Sequence, residues 1–361
     1  MATNTANSTA TSRAPEARPR AARRARPSLL ALPSQATRKA AYYWKRNNWM
    51  LYLPSWWQDY AQTPIDRPIF LLGNQGDGVT LISRFLRRHS QVVSVTGNRT
   101  YWSGADEMQR VMELRLPRRL RLAGKLTRSD PPHPRYYQPR SWSYGCDELY
   151  EAYHDVEAHA TAADARRLKK TIRECLHRYA PGRAARFIDK SQVYTLKTRY
   201  LQALLADAQP HFVLFLRDPY AACFRAASGK ARDMRWYASF LTFDERFQLC
   251  LQHWRNCLAT VLADAPHLER FRAFRYEDFL VEPEPRTREL CDFLGLEFEP
   301  DMLPAPGQRL PFATKYNERW YPLRPEINQR YYDAQTDAQL DAVERTCGEL
   351  AARFGYFRPR R

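Results

Sequence analysis

A glycine-rich segment, Phe70–Leu81, contains residues whose types and spacing suit the binding of a phosphate group. It reads "FLLGNQGDGVTL", in which an apolar run leads to Gly73, Gly76, Gly78 and Thr80. Glycine permits positive φ angles and close approach of the backbone. Successive N–H groups that lead into a helix N-terminus present donors to an anion. We therefore predict that backbone amides at the end of this segment hold a phosphate, with the Thr80 hydroxyl beside them.

Val79 separates this segment from the loops of nucleoside triphosphatases. The spacing G-x-x-x-x-G-x-T matches the P-loop, except that Val79 stands where that loop has lysine. ATPases and GTPases use the lysine to hold the β- and γ-phosphates. The substitution therefore argues against those enzymes and against a P-loop kinase. Backbone donors suit a nucleotide with one 5′ phosphate-like group, as in an adenylyl sulfate.

Four segments of the chain, in order, resemble sulfotransferases that use 3′-phosphoadenylyl sulfate (PAPS). The segment "IFLLGNQGDGVTLISRFLRRHSQVVSV" looks like the family's 5′-phosphosulfate-binding segment, and "FVLFLRDPYAACFRAASGK" is similar to its 3′-phosphate segment. The others are "FRYEDFLVEPEPRTRELCDFLGLEFEP" and "ERWYPLRPEINQRYYD". The resemblance spans residues 66–357. It implies a P-loop-like sulfotransferase architecture with PAPS as co-substrate and no metal.

The resemblance also implies which residues bind the nucleotide. They are Gly73, Gly76, Asp77, Gly78, Val79 and Thr80 in the loop, and Arg217, Arg225 and Ser228 further along the chain. Arg217 follows a buried strand, at the sheet edge where such folds bind ligands, and its planar fork suits a phosphate. The alternative is a structural pairing of Arg217 with Asp218 or Asp189. Arg225 stands where the family has serine, and it adds positive charge where the 3′ phosphate would lie. Ser228, one turn later, could share the role of that serine.

The loop departs from the family at the residue that is usually lysine or arginine. Gly76 occupies that position and Asp77 follows it. A carboxylate near a phosphosulfate is repulsive unless a cation offsets it. Asp77 is interpreted either as an acceptor of N–H bonds within the loop or as a helix cap.

A cation from another element is expected to replace the missing charge. Lys190 in "FIDKSQ" is favoured because it follows a strand and resembles a family lysine that faces the sulfuryl group, although Gln192 replaces the family's proline. The other candidates are Arg84, Lys315 and Arg319.

Sulfuryl transfer also requires a base for the acceptor hydroxyl. Carbohydrate sulfotransferases place a glutamate about as far beyond the loop as Glu107 is here, so Glu107 is the favoured base and Asp106 the second candidate. Either acid could instead stabilise a helix N-terminus. Glu107 and Lys190 are thus the predicted catalytic residues.

The elements that position these residues alternate along the chain. Five short apolar runs read as strands, namely "RPIFLLG", "QVVSV", "ARFIDKS", "HFVLFLRDP" and "RFRAFRYEDFL". Amphipathic helical patterns separate or follow them, including the last one from Asp337 to Phe354. Such alternation predicts an α/β fold with a parallel sheet flanked by helices on both faces.

Composition limits the classes of function. The formal net charge is +18, and residues 1–50 hold ten Lys/Arg and one acid. We predict a disordered basic segment over 1–41, either solvated or in peripheral contact with a membrane, and one sulfotransferase-like domain over 42–361. A nucleic-acid partner would depend on this segment alone and is not expected. The seven cysteines lack CxxC spacing and are predicted to be buried, reduced thiols of a cytoplasmic protein.

These features lead to two hypotheses for function. The first is a sulfotransferase that moves a sulfuryl group from PAPS to a hydroxyl of a glycan, glycolipid or small metabolite. The alternative is a catalytically impaired homologue that binds the nucleotide and acts as a binding protein. The missing basic residue at Gly76 favours the alternative.

Overall fold

A computed structural model describes residues 60–95, 107–108, 124–126, 142–228, 237–303, 309–311, 318–320 and 323–360. The basic segment 1–41 and the domain boundary predicted after it lie outside these ranges, as do Asp106 and Lys315. For Arg319 the structure describes the backbone only.

The central element is a five-stranded parallel sheet in the order β2–β3–β1–β4–β5. Its strands are β1 Ile69–Leu72, β2 Val92–Ser94, β3 Arg186–Asp189, β4 His211–Leu216 and β5 Phe271–Arg275. A separate antiparallel pair consists of β6 Arg309–Pro311 and β7 Glu318–Trp320. All five predicted strands are present, and the parallel sheet predicted from their apolar runs is confirmed.

Helices follow the strands as the amphipathic patterns predict. They are α1 Val79–Leu86, α2 Tyr150–Tyr153, α3 Ala162–Tyr179, α4 Thr198–Leu204, α5 Pro219–Ala227, α6 Phe243–Asp264, α7 Tyr276–Val281, α8 Pro283–Leu294, α9 Gln329–Tyr332 and α10 Asp337–Ala352. Pro219 begins α5, and Gly295, with φ of 66°, ends α8. The fixed φ of proline suits the first position of a helix. Glycine suits the position after the last turn, where the backbone is left-handed.

Two apolar clusters cover the two faces of the sheet. Phe70 and Leu72 of β1 contact one cluster, which includes residues of α3, α5 and α6. Ile69 and Leu71 contact the other, which includes residues of α1 and α8. Because successive side chains of a strand point to opposite faces, an unbroken apolar run is what a strand buried on both sides requires.

The sheet order brings three chain segments to one edge. Phe70 of β1 is in register with Asp189 of β3, and Leu72 of β1 with Leu214 of β4. The carboxyl ends of these neighbouring strands therefore meet. Ligands of open α/β sheets bind at this edge, where the glycine-rich loop leaves β1.

Two bulk features bear on the sequence predictions. All seven cysteines are buried and none is joined in a disulfide. Across the described ranges, no helix has the length and apolar character needed to cross a bilayer.

Candidate active site at the carboxyl edge of the sheet

The glycine-rich loop has a backbone that depends on its glycines. Gly73, Gly76 and Gly78 have φ angles of 141°, 111° and 83°. Gly78 is the N-cap of α1, and a Cβ there would lie 2.1 Å from the ring of Tyr276. A larger residue at this position would be strained by its φ angle and would clash with the ring. The first turn of α1 then follows, with Val79 buried and Thr80 half-buried.

A buried threonine holds the start of the loop. The backbone N–H of Gly73 donates a 3.0 Å hydrogen bond to Oγ1 of Thr195, which lies in the segment after β3. This bond joins the β1 loop to the neighbouring strand's exit. The sequence reasoning did not single out Thr195, since a threonine 122 residues from the loop carries no local signal of this contact.

Asp77 is turned into the protein. It is 1 % exposed, and its Oδ2 accepts a 2.8 Å hydrogen bond from the backbone N–H of Asn74. Burial raises the pKa of Asp77 to about 8, whereas the Asn74 N–H and the charges of Arg217 and Arg225 oppose the rise. The carboxyl group is therefore largely neutral at pH 7. Its inward orientation and neutrality remove the repulsion that a carboxylate in this loop would exert on an anion.

Arg217 lies against the loop. It follows β4 directly, and its Nη1 donates a 3.1 Å hydrogen bond to the carbonyl oxygen of Gly76. Its Nε and Nη2 donate to Oδ1 of Asn328 at 2.9 and 2.5 Å. The guanidinium carbon also lies 5.2 Å from the ring centroid of Tyr276 and 5.5 Å from that of Tyr331, within the range of cation–π attraction. Arg217 and the glycine-rich loop, each predicted to bind a phosphate, are therefore in direct contact.

A buried polar network fixes Arg217 from behind. Oε1 of Glu277 accepts hydrogen bonds from Nδ2 of Asn328 at 2.8 Å and from the backbone N–H of Asp218 at 3.1 Å. Oε2 of Glu277 accepts a 2.6 Å bond from the hydroxyl of Tyr356. Glu277 and Asn328 were not predicted, although both lie within segments that resemble the family. Their role becomes visible only when the C-terminal segment meets β4.

The acids considered as partners of Arg217 have other donors. Asp218 accepts the backbone N–H of Tyr220 at 2.9 Å and the hydroxyl of Tyr332 at 2.6 Å. Asp189 accepts the backbone N–H of Ser191 at 2.8 Å. The hydrogen bonds of Arg217 described above go instead to the side-chain amide of Asn328 and the carbonyl oxygen of Gly76. Both acceptors are uncharged, so neither neutralises the positive charge of Arg217.

The two residues predicted to be catalytic form an ion pair. Nζ of Lys190 lies 2.9 Å from Oε1 of Glu107, and their side chains are 5 % and 16 % exposed. Burial lowers the pKa of Lys190, Glu107 opposes this, and the charges of Arg87 and Arg84 on α1 lower it further. A second contact positions Glu107, because the backbone N–H of the next residue, Met108, donates a 2.7 Å bond to Asp189. The carboxylate of Glu107 and the buried ammonium group of Lys190 therefore lie together at the carboxyl end of β3.

Arg225 and Ser228 occupy different surroundings on α5. The Nη1 of Arg225 lies 3.6 Å from the place that a Cβ on Gly76 would take, so its guanidinium adjoins the loop. Ser228, at the C-cap, is exposed, and its hydroxyl donates a 2.7 Å bond to the carbonyl of Phe224. The nucleotide contact of Ser228 stays a prediction.

Comparisons with known proteins identify the family and the fold. The model of the sulfotransferase family matches residues 68–300. Sulfotransferase STF9 from Mycobacterium avium is similar at 14 % identity, with a TM-score of 0.50, over 84 % of this chain and 80 % of that one. The sulfotransferase domain from the Synechococcus PCC 7002 olefin synthase is similar at 18 % identity, with a TM-score of 0.47, over 82 % of this chain and 99 % of that one.

At 14 % identity, the likeness to STF9 supports the fold alone. No curated protein sequence matches the chain. The family match covers well over half of the chain, from the residue before β1 to the residues after α8. The chain therefore belongs to the sulfotransferase family.

Proposed function

We propose that this protein transfers a sulfuryl group from PAPS to a hydroxyl group of an acceptor. The observation that carries the proposal is the 3.1 Å bond from Arg217 to the Gly76 carbonyl. It joins two segments, 141 residues apart, that the sequence predicts to bind the two phosphate groups of one nucleotide. A bisphosphorylated adenosine has anionic groups at both ends, and this edge of the sheet offers donors for each.

The donor would be held by two kinds of group. The loop amides and the first turn of α1 suit the 5′ phosphosulfate, since they present aligned N–H groups and a helix dipole. The buried guanidinium of Arg217 suits the 3′ phosphate, since it forms charge-assisted, forked hydrogen bonds. Arg217 would exchange its bonds to Asn328 for bonds to phosphate oxygens. The charge-neutral partners that it has now favour that exchange.

The ion pair of Glu107 and Lys190 supplies the groups that transfer requires. In the reaction the bond between sulfur and the bridging oxygen breaks, and a bond between sulfur and the acceptor oxygen forms. Glu107 would accept the proton of the acceptor hydroxyl. Lys190 would stabilise negative charge on the sulfuryl group or the departing phosphate. The products are a sulfate ester and adenosine 3′,5′-bisphosphate.

The test is release of adenosine 3′,5′-bisphosphate from PAPS with a panel of glycan, glycolipid and small hydroxyl acceptors. Glu107→Gln should lower turnover by about 100-fold or more, the usual effect of removing a general base. Glu349→Gln, on the exposed side of α10, should leave turnover unchanged; the side chain of Glu349 is 88 % exposed. Equal turnover by the wild type and Glu107→Gln would contradict the role of Glu107.

The alternative function is nucleotide binding without turnover. The observation that favours it is Gly76, which leaves the loop without its own basic side chain. In that case adenosine 3′,5′-bisphosphate would raise the melting temperature, while no acceptor would yield product. A larger rise with ATP and Mg²⁺ than with the bisphosphate would contradict both functions.

A further inference from the structure

The loop cannot carry the basic residue that it lacks without a change of backbone. Gly76 has a φ of 111°, a region that residues with a side chain rarely adopt. A Cβ at this position would also lie 3.1 Å from the carbonyl oxygen of Ala222 on α5. The absence of a side chain at Gly76 and the close approach of α5 are therefore parts of one arrangement.

Small residues on α5 permit that approach. Ala222 and Ala226 are one turn apart on the helix and are 1 % and 6 % exposed, so α5 packs closely on its neighbours here. Arg225 lies between them in the chain, half-buried, with its guanidinium beside Gly76. The charge of Arg225 reaches Asp77, whose pKa it lowers against the larger effect of burial. Positive charge thus lies next to the loop although the loop itself has none.

Arg225 differs from Arg217 in what it contacts. Arg217 donates hydrogen bonds to Gly76 and Asn328. Arg225, as far as the described residues extend, has neither a hydrogen-bond acceptor nor an ion-pair partner. A half-buried guanidinium at the rim of an anion-binding loop is available to a ligand without first giving up a protein contact.

We propose that Arg225 supplies, from α5, the positive charge that the loop lacks at Gly76, and that it binds the 5′ phosphate end of the nucleotide. The proposal depends on the proposed function. It changes the role expected from sequence, in which Arg225 lies at the 3′ phosphate. In this arrangement the positive charge that other family members carry on the loop comes instead from α5, beside the same position of the loop.

Three adenosine nucleotides separate the two roles by calorimetry on the full chain. These are the 5′-monophosphate, the 3′-monophosphate and the 3′,5′-bisphosphate. Arg225→Gln should weaken the first and the third by a similar factor of about 10 to 100, the value of one charge-assisted hydrogen bond. The 3′-monophosphate should bind as it does to the wild type. Arg225→Lys should recover part of the loss, and Arg345→Gln, an exposed arginine of α10, should change nothing.

Different failures have different meanings. If Arg225→Gln weakens the 3′-monophosphate and spares the 5′-monophosphate, this inference is wrong while the proposed function stands. Equal weakening of all three, with a lower melting temperature, would show a structural role and would also overturn the inference. If the wild type binds none of them, the proposed function itself fails.

Discussion

Replacing Asp77 by asparagine tests whether the loop carboxyl is neutral in the folded protein. Asparagine keeps an oxygen that accepts the N–H of Asn74 and mimics the protonated form of aspartate in shape. The carboxyl is buried, and the second oxygen, Oδ1, has no hydrogen-bond partner among the described residues. Ionisation there would leave a buried charge that is only partly compensated. The substitution therefore removes one titration and little else.

The sign and size of the effect follow from the pKa of Asp77. Burial raises that pKa from 3.8 to about 8, so the folded chain holds the proton more tightly than the unfolded chain does. At any pH between about 3.8 and 8, unfolding therefore releases a proton. The free energy of unfolding falls as the pH rises through that range. One pKa unit corresponds to about 1.4 kcal/mol. Between pH 5 and pH 8 the wild type should lose up to about 4 kcal/mol that Asp77→Asn does not lose.

Denaturant unfolding at pH 5, 6, 7 and 8 would measure the difference between the two proteins. Burial also raises the pKa of Asp189 and of Asp218 to about 6, but both groups are common to the two proteins, so their contributions cancel in the difference. We expect the free energy of unfolding of Asp77→Asn, relative to that of the wild type, to increase by at least about 2 kcal/mol from pH 5 to pH 8. Asp292→Asn, which changes an exposed carboxyl of α8, serves as the control. A constant difference at all four pH values would refute the reasoning, since it would mean that Asp77 is already ionised in the fold.

Three further substitutions test the packing and charge of the site. Gly78→Ala should lower stability to urea by at least about 1 kcal/mol, because residue 78 has a φ of 83° and its Cβ would meet the ring of Tyr276; an unchanged midpoint would contradict this. Lys190→Met should cost about 3 kcal/mol in denaturant unfolding, because it removes the cation that lies 2.9 Å from the largely buried carboxylate of Glu107. Adding Glu107→Gln should recover part of that loss, whereas additive losses would show that the pair is not coupled. Arg217→Lys keeps the charge but loses the fork, so calorimetry should show at least about 10-fold weaker binding of adenosine 3′,5′-bisphosphate; unchanged affinity would place the 3′ phosphate elsewhere.

Local patterns in the sequence determined the strands and helices of this fold and the functional residues that follow the strands. An unbroken apolar run is enough to predict a strand such as β1, because a strand buried on both faces has no polar side. The glycine spacing predicts the loop, since positive φ angles at Gly73, Gly76 and Gly78 require residues without a side chain. Arg217 could be placed at the sheet edge because it follows the apolar run of β4. Each of these inferences depends on neighbours within a few residues.

The tertiary structure decided which distant residues meet and which are buried. Glu107 and Lys190 are 83 residues apart, and Arg217 and Asn328 are 111 apart. No periodicity within either segment specifies such contacts, because they depend on the strand order and on how α5 and the C-terminal segment pack. Burial likewise turned Asp77 from an apparent obstacle to anion binding into a neutral acid. The position of Arg225 beside Gly76 has the same origin, since the charge at this point of the loop comes from a helix that the loop reaches only in the folded chain.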